Sequence, residues 1–585
     1  MRLLPKGLLL AITLAGLVLG YAMPAAGSAA NMYIAQSAVG AADGADCNDA
    51  YAYTFFNTAS NWGSGSAQIG PGTTVHLCGT ITVPLNNSGL IVQGSGTSSS
   101  PITIFFEPNA VLQSPAFNGS VDGPGSAAFT PGGGIEINGY NYIIVDGGTN
   151  GIIQNTLNGT SGMTCLGGPC SYQQWSLGVE DSGDYNIIRN LTIRDIYMNG
   201  GSSSSATDTN GDASGDLYVH SVNFMQVCNN YLGQAEIGAE INNEGSSMTP
   251  TWPLPACSNN TFTSGINVFF GNTTYDHGWQ IHANGTGAPS FYGNDISYWT
   301  DWFYPSSTYH QDGLFFFGAS ASTYFPQVFN NYFHGDIGGG SPTAMLYLAE
   351  TDLNDGSGQS ANVFNNVFYG TGGTVTCCGL ISTDQYYSNP KGPYGFYNNT
   401  IVNSTYLFQQ YLSQTSPTIT FKNNIFYAPS GSSFYLNQDA DGYTFSTATF
   451  QTNDYYGGKL SGNGSQAFGI WAPNVSFATW KSGCVSGGGT GCDSSSVTTD
   501  PTLAGESSFA SGGTLTTAGF RLQAGSPAIG LGTNLTSLCS SIPALCYDAA
   551  GNQRPTTGAW DAGAYEYVDP AAAPAPPTLV PPVTH

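Results

Sequence analysis

Short apolar runs, each broken by an Asn pair, recur down the middle of the chain. The clear copies are Asn229-Asn230-Tyr231-Leu232, Asn259-Asn260-Thr261-Phe262, Asn330-Asn331-Tyr332-Phe333, Asn365-Asn366-Val367-Phe368, Asn398-Asn399-Thr400-Ile401 and Asn423-Asn424-Ile425-Phe426, with weaker ones at Arg189-Asn190-Leu191 and Asn294-Asp295-Ile296. Apolar residues flank each pair on both sides, as in Val363-Phe364 and Val367-Phe368. Such runs are strand-length and bounded by turn residues, so each pair predicts a sharp turn between two strands that share one core. The repeat length, roughly 25 to 40 residues, suits several short strands per repeat rather than paired helices.

Asn tolerates the left-handed backbone of a tight turn, and its amide can bond to the amide of an Asn one rung away. Stacked turns of this kind build a ladder, and the architecture that accommodates it is all-β: a right-handed parallel β-helix. A β-sandwich with Asn-rich hairpins needs shorter and more regular repeats. Only 8% of residues are charged, while Gly reaches 79 and aromatics 13%, as expected for an interior closed by backbone ladders with small residues at corners. A solenoid grows by adding coils, so 585 residues can form one domain.

The ends differ from this pattern. Arg2 and Lys6, an apolar stretch from Leu8 to Leu19, and Ser28-Ala29-Ala30 make residues 1–30 a secretory signal. Residues 31–568 are expected to form the β-helix with its caps, and 569–585 a Pro/Ala-rich tail. No later stretch is long and apolar enough to span a bilayer, so the mature chain is expected to be secreted and monomeric. Twelve cysteines fit an oxidising compartment. Cys47 with Cys78, Cys165 with Cys170, Cys228 with Cys257, Cys484 with Cys492 and Cys539 with Cys546 are expected to act as staples.

Ten Lys plus Arg stand against 36 Asp plus Glu, a net charge of −26, and removing Arg2 and Lys6 leaves 8 − 36 = −28. Nucleic acids and anionic membranes are therefore excluded as partners.

The opening, Tyr33-Ile34-Ala35-Gln36 through Gly70-Pro71-Gly72-Thr73-Thr74-Val75-His76-Leu77-Cys78-Gly79-Thr80, resembles that of secreted bacterial proteins of the pectin-lyase-like superfamily. Ser526-Pro527-Ala528-Ile529, then Asp548, Gly551, Arg554 and Asp561-Ala562-Gly563-Ala564-Tyr565-Glu566-Tyr567, is similar to their closing segment. The resemblance implies the β-helix and a polysaccharide partner. It leaves function open, because that superfamily includes lyases, hydrolases, esterases and adhesins.

Ionisable residues gather in one stretch: Asp276, His277, His282, Asp301, His310, Asp312, His334, Asp336, Glu350 and Asp352. Carboxylates on stacked coils fall roughly 5 to 10 Å apart, the range of paired-carboxylate glycosidases. Asp312 is the leading acid or base, since His310-Gln311-Asp312-Gly313 is similar to the Asn-Thr-Asp-Gly catalytic segment of polygalacturonase-type hydrolases. Their Asp-Asp, Gly-His-Gly and Arg-x-Lys motifs are absent. Asp276, Asp301, His310 and His282 complete the catalytic set, with Trp279, Trp299, Trp302 and His277 as substrate contacts. The bland reading makes Asp312 a turn cap and the histidines polar residues on a strand face.

A polysaccharide lyase is the alternative enzyme, yet no Lys or Arg occurs between Arg194 and Lys391 to neutralise a uronate, so it needs His and calcium. Asp208, Asn210 and Asp212, and Asn437, Asp439 and Asp441, place oxygen ligands at alternate positions as calcium loops do, without the Glu that completes an EF-hand. Hydrolysis requires no cofactor. The third reading is a non-catalytic glycan-binding or adhesive surface protein.

Overall fold

The computed structural model describes residues 31–122, 129–157, 175–197, 212–221, 223–243, 250, 252–284, 289–299, 311–316, 326–336, 342–349, 361–371, 380–384, 394–402, 408–410, 419–428, 434–435, 448–458, 460, 468–469, 476–482, 493–509 and 511–569. Among these, strands dominate and stack in parallel. One sheet of 24 strands contains two strands of each coil, and a second sheet of ten strands contains the third. A representative coil runs Phe224–Cys228, Tyr231–Gly233 and Ile237–Asn243, and the next runs Ile266–Phe270, Thr273–His277 and Trp279–Asn284. Each strand pairs in register with its counterpart one coil on, as Leu232 does with Thr274 and Ile241 with Ala283. This is the expected right-handed parallel β-helix, with the crossover hand usual for parallel strands. We call the three strands of a coil its first, second and third faces.

The core fills the tube. Ile188, Val227, Phe269, Phe291, Val328, Val363, Phe396 and Phe421 come from first faces, and Ile193, Leu232, Ile296, Phe333, Phe368, Ile401 and Phe426 from second faces. Aromatic rings repeat at coil spacing, with Phe333 stacked on Phe368 at 4.6 Å and Phe396 on Phe421 at 4.7 Å.

The Asn ladder forms at the corner between first and second faces. It runs Asn230, Asn272, Asn294, Asn331, Asn366, Asn399, Asn424, Asn453; from Asn272 onward each Oδ1 accepts from both the backbone N–H and the side-chain Nδ2 of the Asn one coil back, and Asn230 Oδ1 accepts from the Leu191 backbone N–H. The residue before each rung takes the left-handed conformation: Asn229, Gly271, Gly293, Asn330, Asn365, Asn398, Asn423 and Thr452 have φ between 54° and 64°. Asn259-Asn260 does not belong. It lies in a long insertion between faces, tied down by the Cys228–Cys257 disulfide and by Arg189, whose Nη1 donates to Cys257 O (3.0 Å) and Asn260 Oδ1 (2.7 Å). Gly271-Asn272 and Thr452-Asn453 are the rungs that the pair pattern missed, since only the second residue of each turn must be Asn.

The chain end runs back over the coils it has just built. Leu503, Phe509, Phe520, Leu522, Ala562 and Ala564 cover Tyr332, Val367, Tyr369, Val402 and Ile425 on second faces. Leu535, Ile542, Leu545 and Trp560 cover Phe270, Tyr292, Phe329, Phe364 and Tyr397 on first faces. In the last three pairs the first Asn holds this strap: Asn365 Nδ2 donates to Tyr547 O (2.7 Å), Asn398 Nδ2 to Asp561 O (2.8 Å) and Asn423 Nδ2 to Thr533 O (2.9 Å). Arg554, fully buried, donates to Glu566 and, at 2.8 Å, to Asn365 Oδ1. The Cys47–Cys78 and Cys539–Cys546 disulfides staple the N-terminal cap and the strap. The pairs Cys165 with Cys170 and Cys484 with Cys492, the signal segment 1–30 and the tail beyond Asp569 lie outside the described residues.

Candidate functional site

Third-face strands alternate sharply. Leu217 and Val219, Ala239 and Ile241, Ile281 and Ala283, and Leu314 and Phe316 enter the core, so the residue between each two faces outward. Register pairing lines these outward residues into one row: Glu136, Glu180, Tyr218, Glu240, His282, Phe315, Tyr347. Three carboxylates and an imidazole on one outward line of the third face form the site's frame.

Their surroundings differ. Glu136 is partly exposed and accepts from Ser88 Oγ at 2.6 Å. Glu180 is buried and accepts from the Asn138 backbone N–H at 2.7 Å. Burial pushes its carboxyl up, against the hydrogen bonds it receives from Ser182 and Asn138, and the Glu136 charge pushes it further. Glu240 is buried and paired with His282, with Nδ1 2.5 Å from Oε2. Aromatic rings enclose the row: Phe129 stacks on Tyr218 at 4.0 Å, Trp279 lies 4.8 Å from His282 and 4.9 Å from Phe315, and Phe315 stacks on Tyr347 at 5.2 Å. An apolar surround strengthens every charge interaction inside it.

Among the residues singled out from sequence, His282 and Trp279 belong to this row or border it, and Asp312 lies beside it. Asp312 pairs with Trp279 across adjacent third-face strands, is fully buried, and accepts a hydrogen bond from Thr343 Oγ1. Asp276 does not lie beneath it. Asp276 is the next-to-last residue of the second-face strand Thr273–His277, at φ 64°, one of a column of corner residues with Asp195, Gln234, Tyr298 and Gly335. Its backbone geometry is that of a turn residue, and it sits on a different face from Asp312. His277 is also separate: its Nε2 lies 2.9 Å from Asp216 Oδ2 and its Nδ1 2.8 Å from Gln280 Oε1, and all three residues are fully buried. Burial raises the Asp216 carboxyl to about 6 despite the His277 contact. That chain of polar groups fixes the corner between second and third faces, which corrects the expectation that His277 touches substrate. Trp299 is a core residue, and Trp279 is buried, so neither offers an open face for a sugar ring.

Asp301, His310, Trp302, Asp208, Asn210, Asn437, Asp439 and Asp441 lie outside the described residues, as does the side chain of Asp212, whose backbone pairs with Asp122. Among the described residues no three His, Cys, Asp or Glu side chains gather where a metal ion could be held. No helix of the described residues is long and apolar enough to cross a membrane.

Glu136, Glu180 and Glu240 escaped the sequence reading, which searched near the Asn pairs. For Glu136 and Glu240 the signal is an acid wedged between aliphatic neighbours, as in Ile135-Glu136-Ile137 and Ala239-Glu240-Ile241.

No protein-family model matches the sequence, and no curated protein matches it. Solved structures of similar shape do exist. The pectate lyase Pel9A is 14% identical with a TM-score of 0.41, covering 92% of this chain and 96% of that one. The complex of XylC with xylose is 10% identical with a TM-score of 0.44, covering 92% and 98%. The GH136 lacto-N-biosidase from Eubacterium ramulus is 12% identical with a TM-score of 0.38, covering 70% and 64%.

Proposed function

We propose that the protein is a secreted glycoside hydrolase acting on a polysaccharide, with Glu180 as general acid and Glu240 as general base. The observation that carries this reading is the outward row itself, in which two buried carboxylates flank Tyr218 in unlike surroundings. Adjacent strands are about 4.8 Å apart, so the backbones of Glu180 and Glu240, two rungs apart, are separated by about 9.6 Å. That backbone spacing is nearer to the roughly 6.5 to 9.5 Å between the carboxyls of an inverting pair than to the ~5 to 5.5 Å of a retaining one.

Glu180, whose carboxyl burial keeps protonated to higher pH, donates its proton to the glycosidic oxygen as the bond to the sugar breaks. Glu240, oriented by His282, takes a proton from the water that attacks the opposite face of the sugar. Trp279, Phe315 and Tyr347 keep the row dry, which favours both transfers. Asp312, which pairs with Trp279 on the adjacent strand, is a further carboxylate of this face and takes a supporting or substrate-binding role. Calcium, if used, would be held by the oxygen-rich sequences Asp208 to Asp212 and Asn437 to Asp441.

A polysaccharide lyase is less favoured, because no Lys or Arg stands between Arg194 and Lys391 to hold a uronate. A non-catalytic glycan-binding protein is the second reading, favoured by the burial of Glu180, Glu240 and His282, which a packed outer cluster also produces. Reducing ends and unsaturated products released from neutral and acidic polysaccharides separate the three. Reducing ends alone, lost on Glu180→Gln and Glu240→Gln and retained in Glu136→Gln, support hydrolysis by this pair. Retention in Glu240→Gln with loss in Asp312→Asn moves the base to Asp312. Unsaturated products indicate a lyase, and neither signal leaves glycan binding.

A further inference from the structure

Second faces carry an outward row of their own, and it changes character along the solenoid. Near the N-terminus it is a ladder of amides: Gln113 Nε2 donates to Thr82 Oγ1 (3.1 Å), Gln154 Nε2 to Gln113 Oε1 (3.0 Å), and Arg194 to Gln154 Oε1 (2.8 and 3.0 Å). The next three coils continue the row with tyrosine rings. Gly233 pairs with Arg194 on one side and Tyr275 on the other, and the ring of Tyr231 lies across it, so that a Cβ on Gly233 would come 2.6 Å from a ring carbon. Tyr231 is therefore laid flat against the sheet and is 37% exposed. Tyr275 follows one coil on, and Tyr298 lies 5.4 Å from it, both partly exposed.

Tyr298 occupies its place at a conformational cost. At φ 55° it sits in a corner column otherwise filled by Asp195, Gln234, Asp276 and Gly335, residue types that accept left-handed backbone more readily than an aromatic does. Tyr142 and Tyr185 share that conformation elsewhere, but they stack on each other at 4.9 Å and Phe262 packs edge-on against Tyr142. Tyr298 instead extends the row of partly exposed rings.

We propose that this row is a binding surface for a neutral, hydroxyl-rich polysaccharide running parallel to the solenoid axis. Partly exposed rings repeating once per coil, with Tyr275 and Tyr298 inclined at 57° to each other, suit the apolar faces of successive sugar rings turned along a twisting chain, and the amide ladder that continues the row offers both donors and acceptors to hydroxyls. Charge selects against acidic polymers, since Asp195 and Asp276 border the row and its one cation, Arg194, already engages Gln154 and lies 3.7 Å from Asp195. The surface is on a different face from the Glu180–Glu240 row and does not depend on that row being catalytic. It would hold a polymer on the protein rather than cleave it.

Affinity electrophoresis of the full secreted chain through gels containing arabinoxylan, mixed-linkage β-glucan, galactomannan or polygalacturonate tests the surface. Retardation by at least one neutral polymer is expected, weakened at least tenfold in the Tyr231→Ala/Tyr275→Ala double variant with an unchanged thermal midpoint. Tyr298→Gly is expected to weaken retardation while leaving the midpoint equal or higher, because glycine accepts the left-handed backbone; a purely structural tyrosine would not give that combination. Glu240→Gln should bind as the parent does, which separates loss of this surface from loss of the proposed reaction. Retardation by no polymer, by polygalacturonate alone, or equally in parent and double variant overturns the proposal. So does a concentration-dependent dimer that the double variant abolishes, since the surface would then be an interface between copies.

Discussion

The second faces of the coils carrying Tyr231, Tyr275 and Tyr298 and those carrying Tyr332, Tyr369 and Tyr427 share one backbone plan and meet opposite fates. In the later coils the strap covers the tyrosines: Tyr332 donates to Leu515 O (2.6 Å), Tyr369 to Gly513 O (3.0 Å), and Tyr427 bonds to Glu506. In the earlier coils the rings remain partly exposed. The Asn pairs follow the same division. Where the turn reads Gly-Asn, at Gly271-Asn272 and Gly293-Asn294, only the inward ladder is served; where it reads Asn-Asn, at 365, 398 and 423, the first amide also grips the strap. A left-handed turn can be made by Gly or Asn alike, and at 365, 398 and 423 the Asn takes on this second task, while Asn229 and Asn330 make the same turn ahead of the strap-gripping pairs.

The largest expected effect comes from Arg554→Ala, which leaves Glu566 buried without its cation and should cost about 3 to 5 kcal/mol, read from denaturant melts. If the strap is a unit, limited proteolysis of this variant should cut within 500–569 while the earlier coils resist. Asn366→Ala should follow at about 2 to 3 kcal/mol, because it strands the Asn331 amide and backbone N–H and removes the Nδ2 donor to Val328 O, while Asn399 Oδ1 keeps the backbone N–H of residue 366. Asn365→Gly keeps the left-handed turn and removes only the strap contacts, so about 1 kcal/mol is expected. Equal losses in the last two would erase the distinction between inward and outward amides.

Acidity gives the broadest test. Burial raises the folded-state carboxyls of Glu566 to about 7 and Asp454 to about 8, against ordinary values of 4.5 and 3.8. Burial likewise raises Asp216 to about 6 and Asp181 to about 8. A raised acid binds its proton more tightly folded than unfolded, so this contribution is complete below the unfolded value and disappears as pH climbs to the folded one. The thermal midpoint should therefore fall as pH rises from 5 to 8. Glu566→Gln should flatten that slope between pH 5 and 7, where Glu566 titrates, and leave the part between 7 and 8 that belongs to Asp181 and Asp454.

Much of the fold was legible because its signal is local. A left-handed turn followed by an inward amide needs only two residues, and their repetition gave the parallel β-helix and six of the eight ladder rungs, with Asn272 and Asn453 overlooked because Gly or Thr precedes them. The same local rule misassigned Asn260, which has the pair but sits in an insertion whose depth depends on a disulfide to Cys228. The candidate site was less legible. Asp276 and Asp312 are near in sequence phase, yet one turns a corner at the end of a second face while the other stands on a third face.

By itself the sequence determined the repeat, the inward ladder, the acidic surface and the cysteine pairs close enough to be staples, since each follows from residue type and spacing within one coil or from composition. Tertiary structure alone decided which acids share a row, which tyrosines the strap covers, and that His277 lies buried against Asp216. Those relations join residues whole coils apart, so they depend on inter-strand register and on where the strap lies, and neither is written in any single repeat.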